Sequence, residues 1–199
     1  MLGRKRSRSR GNDYTTSEEV SDDDVVVSNN HIYFYSDVDT KPIQQLNRAI
    51  NDLNEQGYMY SEIWLHINSY GGSVYDALAA ADTIRASPTP IITVVEGMAA
   101  SAATLISMVG DQRYIRPNGV MLIHQIRCGF YGKKADMDDE TENAGLLEEK
   151  LLDLYMTHTT LRRPELKKLI RRELEYSATK CLAAGLVDEI WEGVQKRQR

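Results

Sequence analysis

The sequence predicts an α/β domain whose strands are mostly parallel. Stretches rich in strand-forming residues, at 31–35, 62–68 and 91–95, alternate with stretches whose apolar residues recur at helical spacing. A long helical connection between consecutive strands favours parallel pairing. The β-branched run 91–95 is followed by an Ala-rich segment through Ser107, so a strand ending at Gly97 and then a helix are expected there.

Composition limits the kind of protein this is. The chain has 199 residues, 42% hydrophobic and 27% charged, which suits one globular domain. No apolar run is long enough for a membrane span, and no secretory leader is evident, so we expect an intracellular, cytoplasmic protein without a membrane partner. A net charge of −5 gives no reason to expect nucleic-acid binding. Two cysteines without zinc spacing predict no metal.

Three segments divide the chain. Residues 1–29 carry a basic block and then an acidic one, with few large apolar residues, which predicts disorder. The basic block could be an organellar or nuclear address, or could contact nucleic acid, but a solvated tail is the simpler interpretation. A single domain is expected over 30–192, followed by a polar tail at 193–199.

The first half of the domain shows three strand-to-helix repeats. A strand at 31–35 precedes a helix that begins near Pro42 and ends before Gly57. The strand at 62–68 stops at Gly71-Gly72 and leads into a helix that ends before Pro88. The strand at 91–95 leads into the helix that begins at Ser101.

The second half is less regular. Residues 113–115 and 120–123 flank a Pro-Asn-Gly turn, which predicts a hairpin. A loop at 127–136 precedes one long helix over 137–158, acidic at its start and longer than a small core can cover. A basic helix is expected over 165–172, and a helix, a turn and a strand over 179–191.

Ser101 stands where a buried strand gives way to a helix. There a hydroxyl faces open space and the first N–H groups of the helix are unpaired, which suits the stabilisation of an oxyanion. The simpler alternative is a serine that only caps the helix. The Gly71-Gly72 pair ends the preceding strand, so both features lie at the carboxyl ends of neighbouring strands, where α/β sheets bind ligands. Glycines there could also serve only a tight turn.

His124 is the best-placed candidate base. It directly follows the strand 120–123, whereas His66 lies inside a strand, His158 inside a helix and His31 at the edge of the charged segment. A serine and a histidine at strand ends suggest nucleophilic catalysis without a metal.

These motifs together resemble the ClpP family of self-compartmentalising serine peptidases. The resemblance covers about residues 30–192 and implies a ClpP/crotonase-like spiral of βαβ units with a protruding long helix. The markers occur in the family's order: INSYGGS at 67–73, GMAASA at 97–102, RPN at 116–118 leading to IHQ at 123–125, HT at 158–159, and SA at 177–178 with GLVD at 185–188.

The resemblance implies a role for each matching residue. Ser101 matches the nucleophile and His124 the general base, while Gly72 and Ala102 match the backbone N–H donors of the oxyanion hole. The implied function is a serine endopeptidase that hydrolyses unfolded polypeptides through an acyl-enzyme. The chain would form heptameric rings stacked in pairs and work with a Clp-type ATPase unfoldase. The sequence has no phosphate-binding Gly-x-x-x-x-Gly-Lys-Ser/Thr loop, so no cofactor is expected in the chain, and ATP would act only through that partner.

The sequence departs from the family pattern at three places. Tyr70 stands where proline is usual, and residues 128–130 replace a more glycine-rich stretch. The interval between Thr159 and Ser177, which should hold the triad aspartate, contains no Asp. Glu173 lies nearest the expected position and can orient a histidine as aspartate does. Alternatively, Glu173 is only a surface partner for Arg171 and Arg172.

Two rival functions remain open at this point. The chain could be a catalytically weak or inactive ClpP-like structural subunit, because loss of the triad acid costs about 10⁴-fold in rate. A crotonase-type acyl-CoA enzyme shares the spiral architecture but uses carboxylates where this sequence has Ser101 and His124.

Overall fold

The computed structural model describes residues 24–56, 59–129 and 131–193, which contain an eight-stranded sheet and six helices. The strands are β1 (Val25–Ser28), β2 (His31–Phe34), β3 (Ile63–Ser69), β4 (Ile91–Ala100), β5 (Gln112–Ile115), β6 (Val120–Leu122), β7 (Glu175–Ser177) and β8 (Glu189–Ile190). The helices are α1 (Thr40–Glu55), α2 (Val74–Ala86), α3 (Ala102–Ser107), α4 (Lys134–His158), α5 (Arg163–Leu169) and α6 (Ala178–Ala183).

The main path of the sheet runs β1-β2-β3-β4-β5-β8, and every pair on it after β1-β2 is parallel. Helices α1, α2 and α3 follow β2, β3 and β4, and each packs its apolar side chains into the common core. The α/β class with mostly parallel strands is therefore confirmed. The carboxyl ends of β3 and β4 consequently meet at one edge of the sheet.

Strand β4 is longer than predicted. It passes through Gly97 and continues to Ala100, so the expectation that Gly97 ends the strand is wrong. A Cβ on Gly97 would stand 2.7 Å from the Asn68 Oδ1 atom, and that same oxygen accepts a hydrogen bond from the Met98 N–H. Gly97 thus makes room for a neighbouring side chain, and the strand carries on to the residue before Ser101.

The predicted hairpin at 113–123 is also wrong. β5 and β6 do not pair with each other, because both lie parallel to β4: β5 alongside residues 92–95 and β6 alongside residues 98–100. The turn between them, closed by a hydrogen bond from the Gly119 N–H to the Arg116 carbonyl, lets the chain resume its direction along the extended β4. β6 pairs with the additional residues of β4, and His124 lies just after the end of β6.

Ordered structure begins earlier than the predicted boundary near residue 30. Residues 25–28 form β1, antiparallel to β2, with Val25 buried, so the prediction of disorder over 1–29 is wrong for this strand. Residues 1–23 and 194–199, where the rest of the charged segment and most of the predicted polar tail fall, lie outside the described residues.

Helix α4 begins three residues before the predicted start and ends at the predicted residue. Its buried residues are Leu152 and Tyr155, in the final third of the helix, while 134–143 are exposed. Ion pairs from Arg163 to Glu149 and Asp153 link the C-terminal half of α4 to α5. One end of α4 is therefore anchored in the core and the other extends away from it.

Around α5 the chain differs from the prediction. The helix covers 163–169 and not 165–172, and a short strand that sequence patterns did not indicate, β7, pairs antiparallel with β6. Among the described residues, no helix combines the length and the apolar character that crossing a membrane requires.

Candidate active site

Ser101 occupies a strained turn between β4 and α3. Its backbone has φ 53° and ψ −125°, a conformation that side-chain-bearing residues rarely adopt. Its N–H donates to the Leu122 carbonyl at 2.8 Å. This bond extends the pairing of β4 with β6 by one residue beyond Ala100. The side chain makes no capping hydrogen bond to α3, so the alternative of a simple cap finds no support in the geometry.

Gly71 makes the turn at Ser101 sterically possible. Gly71 has φ 94°, and a Cβ there would stand 2.7 Å from the Ser101 Cβ and 2.5 Å from the Ala100 carbonyl oxygen. The backbone at the end of β3 therefore contacts the serine directly, with no room for a side chain between them.

Among the residues that the structure describes, no hydrogen-bond partner is found for the backbone N–H of Gly72. A parallel bridge joins Gly72 to Val38 through hydrogen bonds from the Val38 N–H to the Gly71 carbonyl and from the Ser73 N–H to the Val38 carbonyl. Neither of these two bonds involves the N–H of Gly72. A Cβ on Gly72 would stand 2.3 Å from the Val38 carbonyl oxygen, so this position too requires glycine.

His124 follows β6 directly and lines the same pocket as Ser101. Its Nδ1 atom lies 2.5 Å from the Gln125 carbonyl oxygen. Because a carbonyl only accepts, Nδ1 carries the proton, and Nε2 keeps the lone pair that a general base needs. The backbone carbonyl of Gln125 thus favours the tautomer of His124 that a general base would need.

The other three histidines take part in different contacts. His31 and His66 share a hydrogen bond between ring nitrogens that lie 2.8 Å apart. His66 Nδ1 lies 2.7 Å from a Glu96 carboxylate oxygen. Burial lowers the pKa of His66 and of His158. None of the three lines the pocket that holds Ser101 and His124.

The pocket beside Ser101 has a volume of about 270 Å³ and a mainly apolar wall. Residues from α2, α3 and α4 surround it, together with the segment after β6 and the C-terminal cap of α5. Its size and lining suit an apolar side chain of a substrate. The lining residues are Tyr70, Val74, Ser101, Ala102, Leu105, His124, Gln125, Ile126, Arg127, Glu148, Leu151, Leu152, Tyr155 and Ile170.

Glu173 lies near His124 but is bonded elsewhere. Its carboxylate forms an exposed ion pair with Arg127, which is the main cause of its lowered pKa, and the charge of His124 makes a smaller contribution in the same direction. The carboxylate of Glu173 therefore interacts electrostatically with His124. The Nδ1 proton of His124 is donated to the Gln125 carbonyl and not to this carboxylate. The predicted surface partners, Arg171 and Arg172, are not the ones observed.

Two residues of this region carry no signal in the family motifs. Thr104, three positions after Ser101, donates its hydroxyl to the Ser101 carbonyl at 2.5 Å, and the Tyr155 hydroxyl lies 2.5 Å from Thr104 Oγ1. The only hint in the sequence is a single hydroxyl within an otherwise apolar helix turn, Ala102 to Ile106. Within the described part of the chain, no group of three or more His, Cys, Asp or Glu residues could hold a metal ion.

Comparison with known proteins decides the family. A model of the Clp protease family matches residues 16–194. The chain belongs to the Clp protease family. This confirms the resemblance that the motifs indicated.

A curated relative supports the same assignment. The chain is 35% identical over 131 residues to the ATP-dependent Clp protease proteolytic subunit of Deinococcus radiodurans. The alignment covers 65% of this chain and 64% of that protein, so this Clp protease family member spans somewhat less than two thirds of its relative.

The contact between Gly71 and Ser101 yields the first prediction. Gly71→Ala should lower the rate of the peptide hydrolysis proposed below at least about 100-fold, because the new Cβ displaces Ser101 and small displacements of reacting groups carry costs of this order. Gly145→Ala is the matched control, since a Cβ there meets nothing within 4 Å. Steady-state kinetics with a fluorogenic peptide would measure both. A Gly71→Ala variant as active as the Gly145→Ala control would contradict the steric account of the turn.

Proposed function

We propose that this chain is the proteolytic subunit of a serine endopeptidase that cleaves unfolded polypeptides. The observation that carries the proposal is the shared pocket of Ser101 and His124, with Ser101 on a strained turn and His124 in the tautomer of a general base. Membership of the Clp protease family supports it.

In the proposed mechanism His124 Nε2 takes the proton of the Ser101 hydroxyl as Oγ attacks the peptide carbonyl carbon. The carbonyl oxygen gains the negative charge and binds the N–H groups of Gly72 and Ala102. His124 then gives the proton to the leaving amine, which departs and leaves an acyl-enzyme on Ser101. Water, deprotonated by His124, attacks the ester carbonyl, and Ser101 regains its proton as the second product leaves.

The third catalytic group is Glu173 in this proposal. Its present partner is Arg127, in an exposed ion pair of the kind that contributes little to stability. Rotation of the carboxylate from Arg127 to the Nδ1 side of His124 would stabilise the imidazolium that forms during catalysis. The interaction of Glu173 with the charge of His124 supports this assignment.

The quaternary assembly is also a proposal. We infer two stacked seven-membered rings that enclose the active sites, fed with substrate by a Clp-type ATPase unfoldase. Helix α4 would join the rings, because its 25 residues extend about 38 Å and residues 134–143 are exposed in the described part of the chain. The relative from Deinococcus radiodurans is an ATP-dependent proteolytic subunit by name, which supports the dependence on an ATPase.

A catalytically weak structural subunit is the second candidate function. The ion pair of Glu173 with Arg127 favours it, since the carboxylate assigned as the third catalytic group is bound by an arginine among the described contacts. A crotonase-type acyl-CoA reaction is disfavoured by the serine and histidine in the pocket and by the family assignment.

Ser101→Ala provides the test of the proposed function. This change should abolish both peptide hydrolysis and labelling by a fluorophosphonate, because the nucleophile is lost, while the circular dichroism spectrum and the native mass stay the same. The matched control is Ser107→Ala, which alters the serine at the other end of α3, whose hydroxyl donates to the Thr104 carbonyl. Labelling that persists on another serine of the Ser101→Ala variant would contradict the assignment.

Glu173→Gln separates the active subunit from the weak one. If Glu173 orients His124, turnover should fall by about 10³- to 10⁴-fold with little change in assembly. Glu165→Gln and Glu175→Gln are the controls and should leave turnover close to that of the unchanged chain. Equal turnover in all three variants would contradict the assignment of Glu173 as the third catalytic group.

A further inference from the structure

Two buried hydroxyl groups connect α4 to the nucleophile. Tyr155 on α4 is 5% exposed, and Thr104 on α3 is fully buried. The Tyr155 hydroxyl oxygen lies 2.5 Å from Thr104 Oγ1, and Thr104 Oγ1 lies 2.5 Å from the Ser101 carbonyl oxygen. The Thr104 N–H donates to the same carbonyl at 3.0 Å. The Ser101 carbonyl therefore receives two hydrogen bonds from one residue.

The direction of these bonds follows from the chemistry of the groups. A carbonyl oxygen only accepts, so the single hydroxyl proton of Thr104 points to Ser101. Thr104 Oγ1 must then accept from the hydroxyl of Tyr155, which is the first donor in this series of hydrogen bonds. Burial raises the pKa of Tyr155 to about 12, so the phenol keeps its proton throughout the neutral range.

The Ser101 carbonyl and the Ala102 N–H belong to one planar peptide group. Fixing the carbonyl oxygen therefore fixes the direction of the N–H on the opposite side of that plane. Hydrogen bonds to the carbonyl also polarise the amide and make its N–H a stronger donor. Under the proposed function, that N–H binds the oxyanion.

We propose that Tyr155 is a positioning residue which, through Thr104, aims and polarises the Ser101–Ala102 peptide for oxyanion binding. This inference rests on the proposed function and adds a group that neither the motifs nor the family match indicates. The Tyr155 side chain also lines the substrate pocket, so one residue contacts the bound side chain and supports the oxyanion donor.

Removing either hydroxyl should weaken binding of the transition state more than binding of the substrate. Tyr155→Phe and Thr104→Val should each lower kcat about tenfold, less than the loss of an oxyanion donor itself, with KM changed less than about twofold. Affinity for a peptide aldehyde, whose tetrahedral adduct places an oxyanion in the same position, should fall by a similar factor. Affinity for the matching product peptide should not change.

If the two hydroxyl groups had a purely structural role, kcat would recover whenever stability recovers. The proposal predicts that the two separate. A buried hydroxyl left without a partner lowers stability, whereas removing both partners relieves that cost. The double variant Tyr155→Phe/Thr104→Val should therefore recover stability towards that of the unchanged chain while kcat stays low. Thr104→Ser keeps the hydroxyl and should keep kcat. Rates are divided by the fraction of chains that a fluorophosphonate titrates, so misfolded protein does not count.

Thr93→Val is the matched control, because it removes another buried threonine hydroxyl that donates to a carbonyl of α3, that of Ser107 at 2.6 Å. It should lower stability and leave kcat unchanged. The inference is overturned if Tyr155→Phe retains full kcat and aldehyde affinity, or if Thr93→Val loses as much of either. An unchanged chain that labels on no serine overturns the proposed function together with this inference. An unchanged chain that labels at Ser101 beside a fully active Tyr155→Phe variant overturns the inference alone.

Discussion

The strained backbone of Ser101 is the constraint on which the rest of the site depends. A side-chain-bearing residue at φ 53° and ψ −125° costs on the order of 1–3 kcal/mol, so its surroundings must hold it there. Three contacts do so. The Ser101 N–H bonds to β6, the carbonyl bonds to Thr104, and Gly71 leaves the space that the Ser101 side chain needs. Each contact comes from a different element of the fold.

Those elements are brought together by the length of β4. Because β4 runs to Ala100, it pairs first with β5 and then with β6, and β6 places His124 beside the serine. The parallel neighbour β3 ends at the same edge and supplies the glycine pair. Helix α4 closes the pocket with Leu152 and Tyr155, the two residues that anchor it to the core. Tyr155 thus lines the pocket proposed for the substrate side chain and also supports the proposed oxyanion donor.

Sequence patterns predicted the parts of this arrangement that depend on local periodicity and short motifs. The alternation of strands and helices, the glycine pair and the serine at the strand end could all be recognised before the fold was known. The pairing of β5 and β6 could not, because a Pro-Asn-Gly turn between two strands is compatible with a hairpin and with a continued path along a longer neighbour. The strand β7 is three residues long and has no periodicity to detect.

Partner choice among side chains was the least predictable feature. Glu173 follows two arginines in sequence, yet it pairs with Arg127, 46 residues away, because β7 runs antiparallel to β6 and brings the two loops together. Likewise, nothing local relates Thr104 to Tyr155, which are 51 residues apart. Such contacts depend on how distant strands pair and how helices pack, and a single sequence carries little information on either.

The most direct test of the account is whether Ser101 and His124 act on one substrate carbonyl. A peptide chloromethyl ketone with an apolar terminal side chain reports this, since Ser101 Oγ adds to its ketone carbon while His124 Nε2 displaces chloride. Peptide mapping by mass spectrometry should find the alkyl group on His124, and Ser101→Ala should suppress the reaction. Alkylation of His66 or His158 instead, or alkylation of His124 that does not depend on Ser101, would contradict the account.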